Sequence, residues 1–346
     1  MCKVTIAIPV YNVTDYVEES VASALNQTFD DYEVLIIDDK GTDNSMDKVW
    51  KMSVDHPRGF LIRIVEHPHN MGTGATKNTA MKEAKGKYLY FMDSDDTIIP
   101  ETIELLYDKM IEYGADLVAA SFQCVKGDEV EYSKILVSDH VEGDMALCRW
   151  MEKNKVCYEI ATWNKLYNID FLRKNKVYCV PHHRNEDTVF SFQIALYARN
   201  IVTLPIITYN YYWRPGSVML QRISDFYYQQ YLEIMDERTK LLKAVSVKKP
   251  SIIYGFYLEP FFNWFIQRVL YSDFSSEKKQ QFYQHLRKMF TVDFGVSDLY
   301  GWRFRMIYRI MKLDNYKFLY VFYLFDDFAQ KVCRKLSVSY PTFSYR

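Results

Sequence analysis

The chain has 346 residues, 49% of them hydrophobic and 25% charged, with 43 Lys+Arg set against 44 Asp+Glu. That length suits one large α/β domain with an extension, or two domains. With 12 Gly and 10 Pro it is not collagenous, mucin-like or largely disordered, and its near-neutral balance excludes polyanion binding by bulk charge.

The first residues, Met1–Val10, form an apolar stretch too short and too alternating for a signal peptide. No run approaches a membrane-spanning length, so no transmembrane helix is expected. The six cysteines (Cys2, Cys124, Cys148, Cys157, Cys179, Cys333) are scattered without a CxxC pair. They are expected to be free thiols in a reducing, cytoplasmic setting, with neither a zinc site nor a disulfide framework.

Val4–Val10 reads as a strand. Asp15–Gln27 reads as a helix with Val17, Val21, Ala24 and Leu25 on one face. Glu33–Asp38 and Leu61–Val65 read as strands, Thr76–Ala84 as a helix, and Tyr88–Met92 as a fourth strand. Glu101–Glu112 is a predicted helix and Asp116–Ala120 another strand. Near-continuous apolar strands alternating with helices predict a mostly parallel sheet covered on both faces. In such sheets ligands bind beyond the carboxyl ends of the strands. A composition break falls near residue 218, where aromatic content rises from about 12% to about 24%. It predicts a domain over 1–218 and a mainly helical, aromatic extension over 219–346.

Three predicted strand ends carry chemistry. The first ends in Pro9-Val10-Tyr11-Asn12, the second in Asp38-Asp39, the fourth in Asp93-Ser94-Asp95-Asp96. A single strand-end Asp is commonly a helix cap. Five carboxylates at two strand ends repel one another and raise each other's pKa unless a cation sits among them. A hard divalent cation, Mg²⁺ or Mn²⁺, shared with substrate phosphates, is the economical reading. His69–Asn78 (HNMGTGATKN) adds two glycines before a helix and the cation Lys77, a weak anion-binding signal. It is not a dinucleotide fingerprint, since no glycine loop follows the first strand.

Val4–Asn12 (VTIAIPVYN), Glu33–Ser45 (EVLIIDDKGTDNS), Asn70–Asn78 (NMGTGATKN) and Tyr88–Asp96 (YLYFMDSDD) stand in the order and spacing of the family 2 glycosyltransferases. Trp163–Leu166 (WNKL), Asn185–Phe190 (NEDTVF) and Tyr212–Val218 (YWRPGSV) are similar too. The sequence resembles that family over roughly residues 1–218, of the kind found in bacterial surface polysaccharide synthesis. The resemblance implies a GT-A fold, Rossmann-like, with a mostly parallel sheet flanked by helices. It implies an inverting, metal-assisted transfer from a nucleotide-sugar donor, by default a UDP-sugar, to a glycan or lipid-linked acceptor. Carried over residue by residue, Pro9, Tyr11 and Asp39 hold the base and ribose, and Asn70 and Lys77 line the nucleotide and diphosphate. Asp93 and Asp95 form the DxD pair, with Asp95 on the metal and Asp93 nearer the ribose or sugar. Asp187, next to Glu186, is the general base. Many relatives carry Arg where this chain has Lys77, and an ammonium does not grip phosphate bidentately as a guanidinium does.

The chemistry needs these groups. Negative charge grows on the leaving diphosphate, which a metal can neutralise, and the acceptor hydroxyl must lose a proton to a carboxylate. Glu186 and Asp187 would equally suit the positive end of a helix. His182 and His183 precede the pair and are either structural or ligands. Trp163 stacks on an acceptor sugar or supports the core. Arg214 and Ser217 lie in a loop able to close on a diphosphate.

The tail is basic as well as aromatic. Residues 298–346 hold nine Lys/Arg against four Asp around Phe318–Phe325 (FLYVFYLF). Either this packs as a helical extension or it makes peripheral contact with the cytoplasmic face of a membrane. Nucleic acid is not expected as a partner, because no basic face interleaved with aromatics runs through the catalytic half. Two other functions compete: a non-catalytic nucleotide-sugar or glycan-binding protein on a GT-A scaffold, and a phosphatase, since Asp93–Thr97 fits D-x-D-x-T. In phosphatases of that type the motif ends the first strand; here it ends the fourth.

Overall fold

The computed structural model describes residues 2–154, 159–181, 185–214, 224–244, 266–289 and 301–335. The chain divides into two compact units, Met1–Trp150 with Ile160–Leu220, and Met151–Glu159 with Gln221–Arg346.

The first unit is built on a mixed sheet. Val4–Val10 (β1), Tyr32–Asp38 (β2), Ile62–Glu66 (β3) and Tyr88–Phe91 (β4) lie in the order β3-β2-β1-β4, all parallel. β2 and β4 are buried along their whole length, as apolar runs covered on both faces must be. Beyond β4 the sheet stops being parallel. Lys165–Asn168 (β9) runs antiparallel to both β4 and Leu117–Lys126 (β6). Asn200–Tyr212 (β10) pairs parallel with β6 and antiparallel with the short Thr97–Ile98 (β5). Glu129–Lys134 (β7) and Asp139–Glu142 (β8) add antiparallel edges.

Helices cover the sheet. Val17–Leu25 (α1) buries Val17, Val21, Ala24 and Leu25, the face read from the sequence. Burial of each Val and Leu side chain contributes about 1.5–3 kcal/mol of transfer free energy. Ser45–Asp55 (α2) is a helix the sequence reading passed over, and it buries only Ser45 and Val49. Thr73–Glu83 (α3) begins earlier than expected because Gly72, at φ 81°, turns the chain into it. Thr102–Tyr113 (α4) ends on Gly114, left-handed at φ 58°, as a helix C-terminus favours. Ala146–Asn154 (α5), Ile169–Lys174 (α6) and Glu186–Tyr197 (α7) complete the set before the last strand. Residues 188–196 of α7 are buried without interruption, so this helix is a core element rather than a surface one.

The second unit is helical among its described residues. It contains Asp225–Ala244 (α8), Ser276–Met289 (α9), Gly301–Met311 (α10) and Tyr316–Lys335 (α11).

At the amino-terminal edge of the parallel strands, Glu33 is buried and fully engaged. Its carboxylate accepts from Thr5 Oγ1 (2.7 Å), Arg63 Nε (2.8 Å) and the Lys85 N–H (2.9 Å). Burial alone would raise its pKa, but Arg63, the Lys85 amide and Thr5 together bring it below the usual glutamate value. A depressed carboxylate contributes stability above its unfolded pKa of about 4.3, lost as pH falls through the folded value. Glu33→Gln is therefore expected to cost about 2 kcal/mol at neutral pH. Urea denaturation should show the gap to wild type closing on acidification below that unfolded value.

Candidate active site

The carboxyl edge of β2-β1-β4 gathers the acidic strand ends. Register places Val10 opposite Asp38 and Ala7 opposite Phe91, so residues 11–12, 38–39 and 93–96 emerge side by side. The five carboxylates do not form one cluster. Asp38 accepts from the Lys40 amide (2.8 Å) and Lys40 Nζ (2.9 Å). Asp39 is buried: Oδ1 meets His67 Nδ1 and the Met71 N–H, both at 2.8 Å, and Oδ2 takes the Gly72 N–H at 2.9 Å. Asp96 accepts from Tyr209 Oη (2.7 Å) and the Tyr212 N–H (2.9 Å), locking the turn after β4 to β10. Sequence proximity alone had grouped these three with the DxD pair; local donors satisfy them instead.

Asp93 and Asp95 remain. Burial pushes Asp93 up to about 6, opposed by the ammonium of Lys77 and reinforced by Asp95 and Glu186. Burial likewise raises Asp95, against its own backbone amide and the guanidinium of Arg214. Arg214 lies between the rings of Tyr16 (3.9 Å to the centroid) and Tyr212 (4.7 Å), and its Nη2 donates to the Asp95 carbonyl at 3.1 Å.

Lys77 connects the two sides of the site. It is buried on the second turn of α3, and its Nζ donates to Glu186 Oε1 at 2.8 Å. Burial by itself would depress the ammonium, but Glu186, Asp93 and Asp187 hold it above the usual lysine range, so it is charged. Two features set the close approach of α3 and α7. A Cβ on Gly74 would sit 2.2 Å from the Val180 carbonyl oxygen and 3.2 Å from Glu186 Cβ. Asn78 clamps the same segment, with Nδ2 donating to the Cys179 carbonyl and Oδ1 accepting its amide, both at 2.8 Å. Asn185, left-handed at φ 64°, turns the chain into α7 and sets Glu186 and Asp187 in its first turn, where the helix dipole favours carboxylates.

The remaining sequence candidates lie along this edge. Pro9 is half-buried at the end of β1, Tyr11 is exposed, and Asn70 is exposed beside the Met71 and Gly72 amides. The structure thus brings together Lys77, Glu186, Asp93, Asp95 and Asp187, while Asp39 is tied into the support of the 67–72 loop. His182, His183 and Ser217 lie outside the described residues. Trp163 is buried, stacked on Tyr209 at 4.6 Å and 8° and on Tyr211 at 5.7 Å and 13°, a core position. The supporting contacts of His67, Asn78 and Asn185 are not readable from the sequence. Their partners lie at other strand and helix ends, which no local pattern exposes.

The half-buried Asp93 and Asp95, both with raised pKa values, are hard oxygen donors suited to a divalent cation. Among the described residues no group of three or more His, Cys, Asp or Glu could hold a metal ion alone. A cation there would need further ligands from water or substrate.

Residues 5–182 match the sequence profile of glycosyl transferase family 2. The chain belongs to that family. It is 31% identical over 215 residues, 61% of its length, to the poly(ribitol-phosphate) beta-glucosyltransferase of Bacillus spizizenii, covering 32% of that protein. It is 29% identical over 269 residues, 74% of its length, to the glycosyltransferase GlyA of Streptococcus pneumoniae serotype 4, covering 37% of it. The chain thus spans about a third of the length of these two curated relatives. The crystal structure of S. aureus TarS 1–349 in complex with UDP-GlcNAc superposes with a TM-score of 0.75 at 20% identity, covering 98% of this chain and 93% of that one. The shared fold is the GT-A fold, α/β with a mostly parallel sheet and a helical carboxyl-terminal region.

Removing one member of a buried ion pair strands the other, at about 3–5 kcal/mol. Lys77→Met is expected to destabilise by about 3 kcal/mol, and the double variant with Glu186→Met by less than the sum of the singles. Chemical denaturation of the four proteins measures the coupling; strict additivity would mean the pair contributes nothing as a pair.

Proposed function

We propose that this glycosyltransferase moves a sugar, with inversion, from a nucleoside diphosphate donor to a hydroxyl of a glycan or lipid-linked acceptor in bacterial surface polysaccharide synthesis. One observation carries the reading: the buried Lys77 ammonium pairs with Glu186 and feels both the DxD carboxylate Asp93 and Asp187. A single constellation thus holds donor-side and acceptor-side groups.

Pro9, Tyr11 and Asp39 take the base and ribose, and Asn70 and Lys77 the nucleotide and diphosphate. His67 and the Met71 and Gly72 amides fix Asp39 for that contact. Arg214, flattened between two tyrosine rings beside Asp95, adds a guanidinium toward the diphosphate, which Lys77 alone cannot grip bidentately. Asp187 removes the acceptor hydroxyl proton as the oxygen attacks the anomeric carbon. The bond to the diphosphate breaks on the opposite face, and the nucleoside diphosphate leaves with the electron pair. Glu186 balances Lys77 and so keeps the acceptor side from collapsing onto the cation. Asp95 and Asp93 would hold Mn²⁺ or Mg²⁺, which when bound neutralises charge on the leaving group. A UDP-sugar is the default donor, supported by the UDP-GlcNAc bound in TarS and by the shared fold.

Calorimetric titration with UDP and GDP, each with and without Mn²⁺, tests the donor site. Metal-dependent binding of one of them is expected, and Asp95→Asn should abolish that dependence. Asp187→Asn should bind donor as wild type does while transfer falls about 10²–10⁴-fold. Wild-type transfer by Asp187→Asn would remove Asp187 as the base.

A further inference from the structure

The second unit presents a face that the transfer chemistry does not use. On α11, Lys317, Phe318, Val321, Leu324 and Phe325 are exposed. Their spacing of i, i+1, i+4, i+7 and i+8 puts all five on one side of a helix. Phe318, Val321, Leu324 and Phe325 are 54%, 62%, 46% and 62% exposed, while Leu319, Phe322 and Tyr323 on the other side are buried. The preceding helix repeats the pattern with cations: Arg305, Met306 and Arg309 are exposed at i, i+1 and i+4, Leu313 is exposed in the turn that follows, and Ile307, Ile310 and Met311 are buried.

The hairpin of α10 and α11 is fixed on its inner side by α9. Tyr283 Oη donates to the Ile310 and Leu313 carbonyls at 2.6 and 2.8 Å, Arg287 Nε donates to the Met311 carbonyl at 3.0 Å, and the Tyr316 amide donates to Gln280 Oε1 at 3.1 Å. Charge is segregated as well. Among the described residues of the hairpin, the exposed acid is Asp314, and it is held by Arg287 and Gln284 of α9. Lys317 stands in the first turn of α11, where no acid accompanies it. A cation there opposes the helix dipole, so it does not serve the helix.

Bulky apolar side chains on one helix face, with exposed cations beside them and, among the described residues, no exposed acid left uncompensated, complement one chemistry: an anionic lipid surface. A partner protein of ordinary charge gives no reason for the cations to stand at the edge of the apolar face. No helix among the described residues is long and apolar enough to cross a membrane, so the contact is one of lying on the surface. We propose that the α10–α11 hairpin is a peripheral docking face for anionic phospholipid, with Phe318, Val321, Leu324 and Phe325 entering the headgroup layer and Arg305, Arg309 and Lys317 meeting the phosphates.

This inference stands apart from the donor-site assignment and is tested with the whole chain. The protein is sedimented with vesicles of phosphatidylcholine, and with vesicles of phosphatidylcholine mixed with phosphatidylglycerol, at low and high salt. Circular dichroism and nucleotide titration are run on every variant. Wild type should pellet with the mixed vesicles, and salt should release it. Arg305→Gln, Arg309→Gln and Lys317→Gln together should weaken partitioning about 100-fold, and Phe318→Ser with Phe325→Ser at least about tenfold, with fold and nucleotide binding unchanged. Equal pelleting with phosphatidylcholine alone, or none with either vesicle, would overturn the proposal. So would a phenylalanine variant that dissociates an oligomer while leaving vesicle binding intact, which would make the face an interface between copies. Loss of nucleotide binding with vesicle binding retained would count against the donor site and leave this face standing.

Discussion

The buried pair of Lys77 and Glu186 is the constraint around which the first unit is arranged. An ammonium and a carboxylate removed from water cost several kcal/mol each, and only close contact and further partners offset that cost. The fold supplies both by bringing α3 against the start of α7. Gly74 is required there because the Val180 carbonyl occupies the space a side chain would take, and Asn78 holds the same segment by both its amide atoms. A fold seeking only stability would fill this contact with apolar side chains. Keeping a charged pair here fixes a cation at a defined place among Asp93, Asp187 and Glu186.

Support for the acidic turn comes from the opposite direction, through the aromatic core. Trp163 stacks on Tyr209 and Tyr211, and Tyr209 Oη donates to Asp96 while accepting the Asp93 amide at 3.2 Å. Asn164, left-handed at φ 57°, accepts from Tyr90 Oη and Thr208 Oγ1 and donates to the Ala120 and Ser121 carbonyls. The motif Trp163–Leu166 thus acts through β10 on the turn that carries Asp93 and Asp95. Of the two roles open to Trp163 from the sequence, its burial favours the supporting one.

How much was legible follows from the range of each interaction. β1, β2 and β4 were readable because strands buried on both faces carry unbroken apolar runs, and the buried face of α1 was readable from its period. α2 escaped because it buries only two side chains and its sequence is largely polar. β9 escaped because an antiparallel addition to a parallel sheet leaves no alternating β–α signal. The strand ends were located correctly as the chemical edge, but their carboxylates could not be sorted by sequence. Asp38 is bonded by a residue two positions on, Asp39 by residues 28 to 33 away and Asp96 by residues more than a hundred away.

That sorting bears on how the site binds charge. If all five carboxylates faced one point, the repulsion would demand a cation before the chain could fold. With Asp38 and Asp39 held by their own donors, Asp93, Asp95 and Asp96 remain in mutual repulsion, and Lys77 and Arg214 stand near the first two. In the unliganded site burial raises both Asp93 and Asp95 above the ordinary aspartate range. A cation arriving with a diphosphate brings compensating charges of both signs in one step. The same site without the anion has weak reason to hold the cation alone. Donor and metal are then expected to bind as linked ligands, each strengthening the other by the same factor.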